Sequence, residues 1–156
     1  ALSLADVMVG YQAYMHSLRV AGYIGGEYQD HTLSPRDPAN SVVGGRGGLK
    51  LAGDITTLAG SSVYFNLMGN VSTAFDSYWS RARIGLTHRG FTFGPEAIFN
   101  GNVNFNAQRY GGFVSMQFAG TPFELTLSGG QHINEKSGIF ANSDGAYGQI
   151  NLNIVY

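Results

Sequence analysis

Ile150, Leu152, Ile154 and Tyr156 alternate with Asn151, Asn153 and Val155 at the end of this chain. An extended strand turns successive side chains to opposite faces, so the first set shares one side of a sheet and the second set the other. The same alternation recurs along the chain, and the charges in its strand-like runs collect on one face. They are Asp6, Glu27, Asp54, Glu96 and Glu124 with Arg19, Arg46, Lys50, Arg81 and Arg83. The other face of the same runs is apolar. An Arg or Lys facing lipid at the bilayer midplane costs about 2–4 kcal/mol, so lipid enforces this segregation. A soluble barrel would instead cover its outside with large apolar side chains facing water. The pattern therefore predicts an all-β fold, an antiparallel up-and-down transmembrane β-barrel of the outer-membrane kind.

Composition agrees. Charged residues make up 12% of the 156 residues, with 23 Gly, 9 Tyr and 10 Phe, against roughly 25% charge in a typical soluble domain. No run approaches the roughly 18 apolar residues of a membrane helix. The absence of cysteine excludes disulfides and thiolate metal sites; a net charge of −1 gives no electrostatic footprint for nucleic acid.

Turn and alternation signals predict about nine strands. They run approximately Ala5 to Tyr14, Leu18 to Asp30, Gly45 to Thr56, Ser62 to Phe75, Tyr78 to His88 and Phe91 to Asn100, then a run ending at Phe118, one opening at Phe123, and the C-terminal run. Phe75 falls on the predicted lipid face. His31–Val42, the Asn-rich stretch Gly101–Gln108 and His132–Asp144 read as polar loops, and a tight connection is expected near Asp76–Ser77. Short connections at Met15–Ser17, Thr57–Ser61, Arg89–Gly90 and Ala119–Pro122 collect at one end, as periplasmic turns do. Nine strands are odd, bacterial single-chain barrels are even, and an unpaired sheet edge finds no water in lipid. Residues 1–156 are thus expected to form one domain, the C-terminal part of a larger barrel with one or three strands upstream. A start without a leader segment fits that expectation.

Three clusters carry candidate function. Asp30, His31 and Asp37 lie in a strand end running into a Pro-stiffened loop and would contact a cation or a sugar hydroxyl; Asp and Ser beside Pro more commonly close Asx turns. Trp79, Arg81 and Arg83 share the predicted lumen face with Tyr23, Tyr64, Glu27 and Glu96. Rings that stack on sugars and donors for hydroxyls make this a candidate ligand-binding lumen. The plainer reading pairs Arg81 and Arg83 with Glu27 and Glu96, so that no buried charge stands alone. Pro95, beside Glu96, predicts a bulge or an edge, because it cannot donate to a ladder. No catalytic motif is present: there is no Gly-x-Ser-x-Gly, His-Glu-x-x-His or phosphate loop. No metal or cofactor is implied.

The segments GYIGGEYQDHTLSPRDPANS, STAFDSYWSRARIGL and FGPEAIFNGN, flanked by DVMVGYQ and GAYGQINL, together resemble the cellulose biosynthesis protein BcsS family of α-proteobacteria. The resemblance covers most of the chain. It implies a signal peptide and further strands ahead of this segment, favours three missing strands and a barrel of twelve, and supplies no catalytic residues. The expected role is a non-enzymatic pore or scaffold in the bacterial outer membrane, serving cellulose or exopolysaccharide biosynthesis or secretion. Its partners would be outer-membrane lipid, a glucan polymer, and the cellulose synthase machinery or neighbouring barrel copies. Two other classes stand beside it: an outer-membrane lipid-modifying enzyme, whose site would assemble from separate strands, and a structural barrel making protein contacts at the cell surface.

Overall fold

A computed structural model describes residues 2–32, 41–136 and 144–154. The strands are β1 (Leu2–Met15), β2 (Leu18–His31), β3 (Gly44–Thr57), β4 (Val63–Ser72), β5 (Ser77–His88), β6 (Phe91–Asn102), β7 (Phe105–Gln117), β8 (Phe123–Lys136) and β9 (Gly145–Ile154). Each pairs antiparallel with the next, giving one sheet in the order β1 to β9. Among the described residues no ladder joins β1 to β9, and no helix is long and apolar enough to cross a membrane.

Short hairpins make this meander. Arg89 and Gly90 both take positive φ between β5 and β6, the pair of left-handed residues that matches the twist of flanking strands. This end of the sheet, with the β1–β2, β3–β4 and β7–β8 connections, is the turn end; the opposite end is the loop end. Each ladder holds one register along its paired length, including the β6 ladders on both sides of Pro95. The predicted bulge is therefore absent. Instead, pairing to β5 lapses over Ile84–Gly85 and Gly94–Pro95, then resumes in step. A Cβ on Gly94 would sit 2.0 Å from the Ile84 carbonyl oxygen. The backbones of Gly94 and Ile84–Gly85 come close where Pro95 offers no donor, and no residue is inserted.

The faces are inverted relative to a soluble protein. Val7, Val9, Ile24, Leu51, Val71, Ile84, Leu86, Phe93, Ile150 and Leu152 are exposed. Glu27, Gln29, Lys50, Asp54, Asn66, Arg83, Glu96, Ser115 and Thr126 are buried. The sheet curls toward the polar face, because side chains three strands apart meet there. Tyr64 on β4 reaches Phe113 on β7 at 5.7 Å between ring centroids. Tyr147 Oη on β9 donates to Glu96 Oε1 on β6 at 3.1 Å, and Gln29 Nε2 on β2 donates to Ser77 Oγ on β5 at 3.0 Å. In a flat sheet strands three apart lie about 14 Å from each other. Only strong curvature closes that gap.

Several boundaries depart from the sequence-based expectation. The Asn-rich stretch is not a loop: β6 continues through Asn102, β7 starts at Phe105, and Val103–Asn104 alone connect them. Asn104 N donates to Asn102 Oδ1 at 2.9 Å to close that connection. β8 likewise extends through His132 to Lys136. Ladder hydrogen bonds come from the backbone, so a polar side-chain stretch continues a strand when its neighbour strand is present. The segregation of charge also has an exception: Asp30, at the loop-end tip of β2, shares the parity of Ile24 and Tyr28 rather than that of Glu27 and Gln29.

Candidate functional site: a loop-end cavity beneath an inward turn

The β4–β5 turn shapes the loop end of the interior. Thr73 closes the ladder to β3, its N donating to the Leu49 carbonyl and its Oγ1 accepting from Leu49 N, both at 2.9 Å. The chain then turns inward. Ala74 is fully buried and Phe75 is 4% exposed, so Phe75 does not continue β4 onto the apolar outer face as predicted. Phe75 and Asp76 both have positive φ, and Ser77 N donates to the Ala74 carbonyl. Left-handed backbone at a bulky residue costs on the order of 1–3 kcal/mol and persists only when its surroundings hold it. Those surroundings are specific. The Phe75 ring meets His31 edge-on at 4.9 Å, the Arg46 guanidinium lies 5.6 Å from its centroid, and Val103 N donates to its carbonyl at 3.2 Å. Room beneath the turn comes from Gly48: a Cβ there would meet Ala74 N at 2.4 Å.

Beside this turn lies a cavity of about 540 Å³. One wall is a closed polar network. Lys50 Nζ pairs with Asp6 Oδ2 at 2.6 Å and with Glu27 Oε1 at 2.7 Å. Gln29 Nε2 donates to Glu27 Oε2 at 2.8 Å and to Ser77, and Gln29 Oε1 meets His31 Nε2 at 3.0 Å. These contacts stitch β1, β2, β3 and β5 together across the interior. The other wall is Trp79 with its two cross-strand partners, Asn70 on β4 and Asn100 on β6. Asn100 Oδ1 is buried without a hydrogen-bond partner. Leu4 on β1 and Phe105 on β7 line the same cavity.

Nearer the turn end the interior is filled. Arg83 pairs with Glu96, both buried, and its guanidinium lies 4.8 Å from the Phe113 centroid. In the loop-end halves of β7, β8 and β9, Arg109 donates to His132 Nδ1 at 3.1 Å and sits 6.0 Å from the Tyr147 ring. Arg19 pairs with Asp54 at 2.7 Å. Glu124 accepts from Thr126 and Asn153, each at 3.3 Å.

The predicted lumen residues therefore separate. Glu27 and Trp79 line the cavity, with Arg81 behind the indole at 5.9 Å. Tyr64, Arg83 and Glu96 belong to the turn-end packing. Tyr23 faces inward against Gly10, where a Cβ would meet its ring, and lies apart from both groups. Of the predicted pairings, Arg83–Glu96 forms and Arg81–Glu27 does not. Lys50 on the adjacent strand holds Glu27, while Arg81 approaches Asn66 Oδ1 at 3.4 Å and Met68 Sδ at 3.0 Å. Among the loop residues, His31 lines the cavity, Asp30 has the opposite parity, and Asp37 is outside the described residues. Sequence reasoning missed Asn70 and Asn100 as cavity residues, although their parity put both inside. It missed Arg109 as an inward charge, although the run to Phe118 opens at that residue and Arg109 is in step with Ser115 and Gln117. The described residues hold no group of three or more His, Cys, Asp or Glu placed to bind a metal ion.

Neither a curated protein nor a solved structure matches the chain. A family does. The chain matches the family described as cellulose biosynthesis protein BcsS over residues 2–156, essentially its whole length and the family whose segments it resembles, so it belongs to that family.

Proposed function

We propose that this chain forms part of a non-enzymatic β-barrel of the bacterial outer membrane, working in cellulose biosynthesis as a closed scaffold with a surface-end cavity rather than as an open conduit. One observation carries the membrane placement: the exposed face is apolar and the buried face ionic, the inverse of a protein folded against water. Strand length agrees. Ten to fourteen residues per strand at about 3.3 Å each, tilted by about 45°, project to roughly 23–33 Å, which brackets the apolar band of such barrels. Strands upstream would close the ladder between β1 and β9, whose unpaired backbone groups cannot stand in lipid.

The scaffold reading draws on the interior. The Glu96–Tyr147 and Tyr64–Phe113 contacts each join strands three apart, with Arg83 paired to Glu96 beside them, and the inward Ala74–Phe75 turn crowds the loop end. A glucan conduit would have to displace both. Association with the cellulose synthase machinery, through the loop end or through neighbouring barrel copies, is the role this scaffold would serve. Single-channel recording of the full-length protein in planar bilayers tests it. A folded, heat-modifiable protein is expected to give no steady conductance. A stable open pore, blocked by cello-oligosaccharides, would replace the scaffold with a conduit. A protein that stays water-soluble without detergent would remove the membrane placement itself.

A further inference from the structure

We infer that the loop-end cavity is a binding site for a short stretch of neutral carbohydrate, with Asn70, Trp79 and Asn100 as its recognition row. This rests on the scaffold reading for the cavity's position at the cell surface, and it assigns that scaffold a ligand. The argument begins with what each wall has left to offer. On the β1–β3 wall, Lys50, Asp6, Glu27 and Gln29 are spent on one another and, through Gln29, on Ser77 of β5. One ammonium faces two carboxylates there, so the wall offers no free positive charge to a phosphate, sulfate or uronate.

The other wall is not tied up in such a network; Arg81, outside the lining, lies 5.9 Å from the Trp79 ring centroid. Trp79 stands between Asn70 and Asn100 in a single cross-strand row, and Asn100 Oδ1 is buried with no partner. A buried acceptor left unmet costs about 1–3 kcal/mol, and Asn100 Oδ1, closed off from solvent, meets a ligand's donor only when its carboxamide turns into the cavity that the residue lines. A carboxamide offers both donor and acceptor, and a sugar hydroxyl is likewise both, so a flanking pair of amides suits a polyol. The indole between them offers an apolar body with a single N–H donor, a match for the C–H face of a pyranose. The volume of about 540 Å³ lies within the range of ligand pockets. Amide, indole, amide, with a wall of net negative charge opposite, is a surface for hydroxyl-rich neutral chains.

The experiment follows from a property of the sequence: Trp79 is the only tryptophan of these 156 residues, so the emission lost in a Trp79→Phe variant of the full-length protein isolates the signal of the cavity. The full-length protein, folded in nanodiscs, is titrated with cellohexaose, with an oligogalacturonate of equal length as the charged comparison, and heat tracked by calorimetry. A saturable change in Trp79 emission with cellohexaose is expected, together with binding at least tenfold weaker for the oligogalacturonate. Asn100→Ala and Asn70→Ala are each expected to weaken cellohexaose at least fivefold by calorimetry while heat-modifiability stays as in the parent protein. If either variant does not fold, Asn100→Asp replaces it, keeping the shape but removing the amide donors and adding charge, with the same loss expected. Absence of cellohexaose binding by both readouts overturns the inference, and so does equal binding of the charged chain or undiminished binding by both folded variants. A folded, non-conducting barrel that fails to bind removes this site and leaves the scaffold standing.

Discussion

Replacing Lys50 with methionine should cost about 3 kcal/mol of folding stability, and the structure says why. Lys50 Nζ is the shared cation of two carboxylates, Asp6 at 2.6 Å and Glu27 at 2.7 Å. Its side chain is 10% exposed and that of Glu27 is 2% exposed, whereas that of Asp6 is 33% exposed. Removing one partner of a buried pair costs about 3–5 kcal/mol, because the other charge is stranded. Asp6 can return to solvent, so its share is below about 1 kcal/mol. Glu27 cannot, but it keeps the 2.8 Å hydrogen bond from Gln29, which holds the total at the lower end of that range. Equilibrium urea unfolding from lipid vesicles, read by Trp79 fluorescence, measures the loss. The double variant Lys50→Met with Glu27→Gln removes the stranded charge and should recover at least about 1.5 kcal/mol of the sum of the single losses, within the coupling expected of contacting residues. Asp54→Asn provides the internal scale. Its partner Arg19 is 34% exposed, so that loss should stay near 1 kcal/mol. A Lys50→Met loss below about 0.5 kcal/mol, or a cycle with no coupling, would show that the network does not bind β1, β2 and β3 as described.

Two further substitutions probe the outer face and the inward turn. Leu67→Arg puts a guanidinium on the exposed apolar face of β4; on the proposed membrane placement it should destabilise the protein in vesicles by about 2–4 kcal/mol, while Leu67→Phe stays close to neutral, and equal effects of the two would argue against lipid on that face. Gly48→Val places a branched side chain where a Cβ alone would meet Ala74 N at 2.4 Å. It should cost about 1–3 kcal/mol and expose the Thr73–Asp76 turn to proteolysis, and an unchanged cleavage pattern would refute the packing of that turn on Gly48.

Much of the fold was readable in the residues themselves, and the failures are informative. Nine strands and the inward charges from Asp6 to Glu124 follow from a period of two, because alternation assigns each side chain a face without reference to any partner. Asn and Gln look like loop at the β6–β7 connection, yet Asn100 and Asn102 sit in a paired strand on its polar inner face, and Asn106 sits in the next strand with its side chain exposed. Phe75 was misplaced for the opposite reason. An aromatic residue in step with Val71 looks like a lipid contact, and alternation cannot register that the backbone leaves the strand after Thr73. The candidate site was half legible. Trp79 and Glu27 were recognised, but Asn70 and Asn100 drew no attention until the register set them on either side of the indole.

The sequence by itself determined which face of each strand meets an apolar surroundings and which meets its own kind, since that choice is made residue by residue through side-chain parity. It also determined the family, through segments that survive without reference to geometry. The tertiary structure decided who pairs with whom. Glu27 goes to Lys50 and not to Arg81, Tyr147 crosses to Glu96, and Phe75 folds under His31 and Arg46, because these contacts depend on register and on curvature summed over three strands. Parity is local and carries no such information; distance across a curled sheet is a property of the whole.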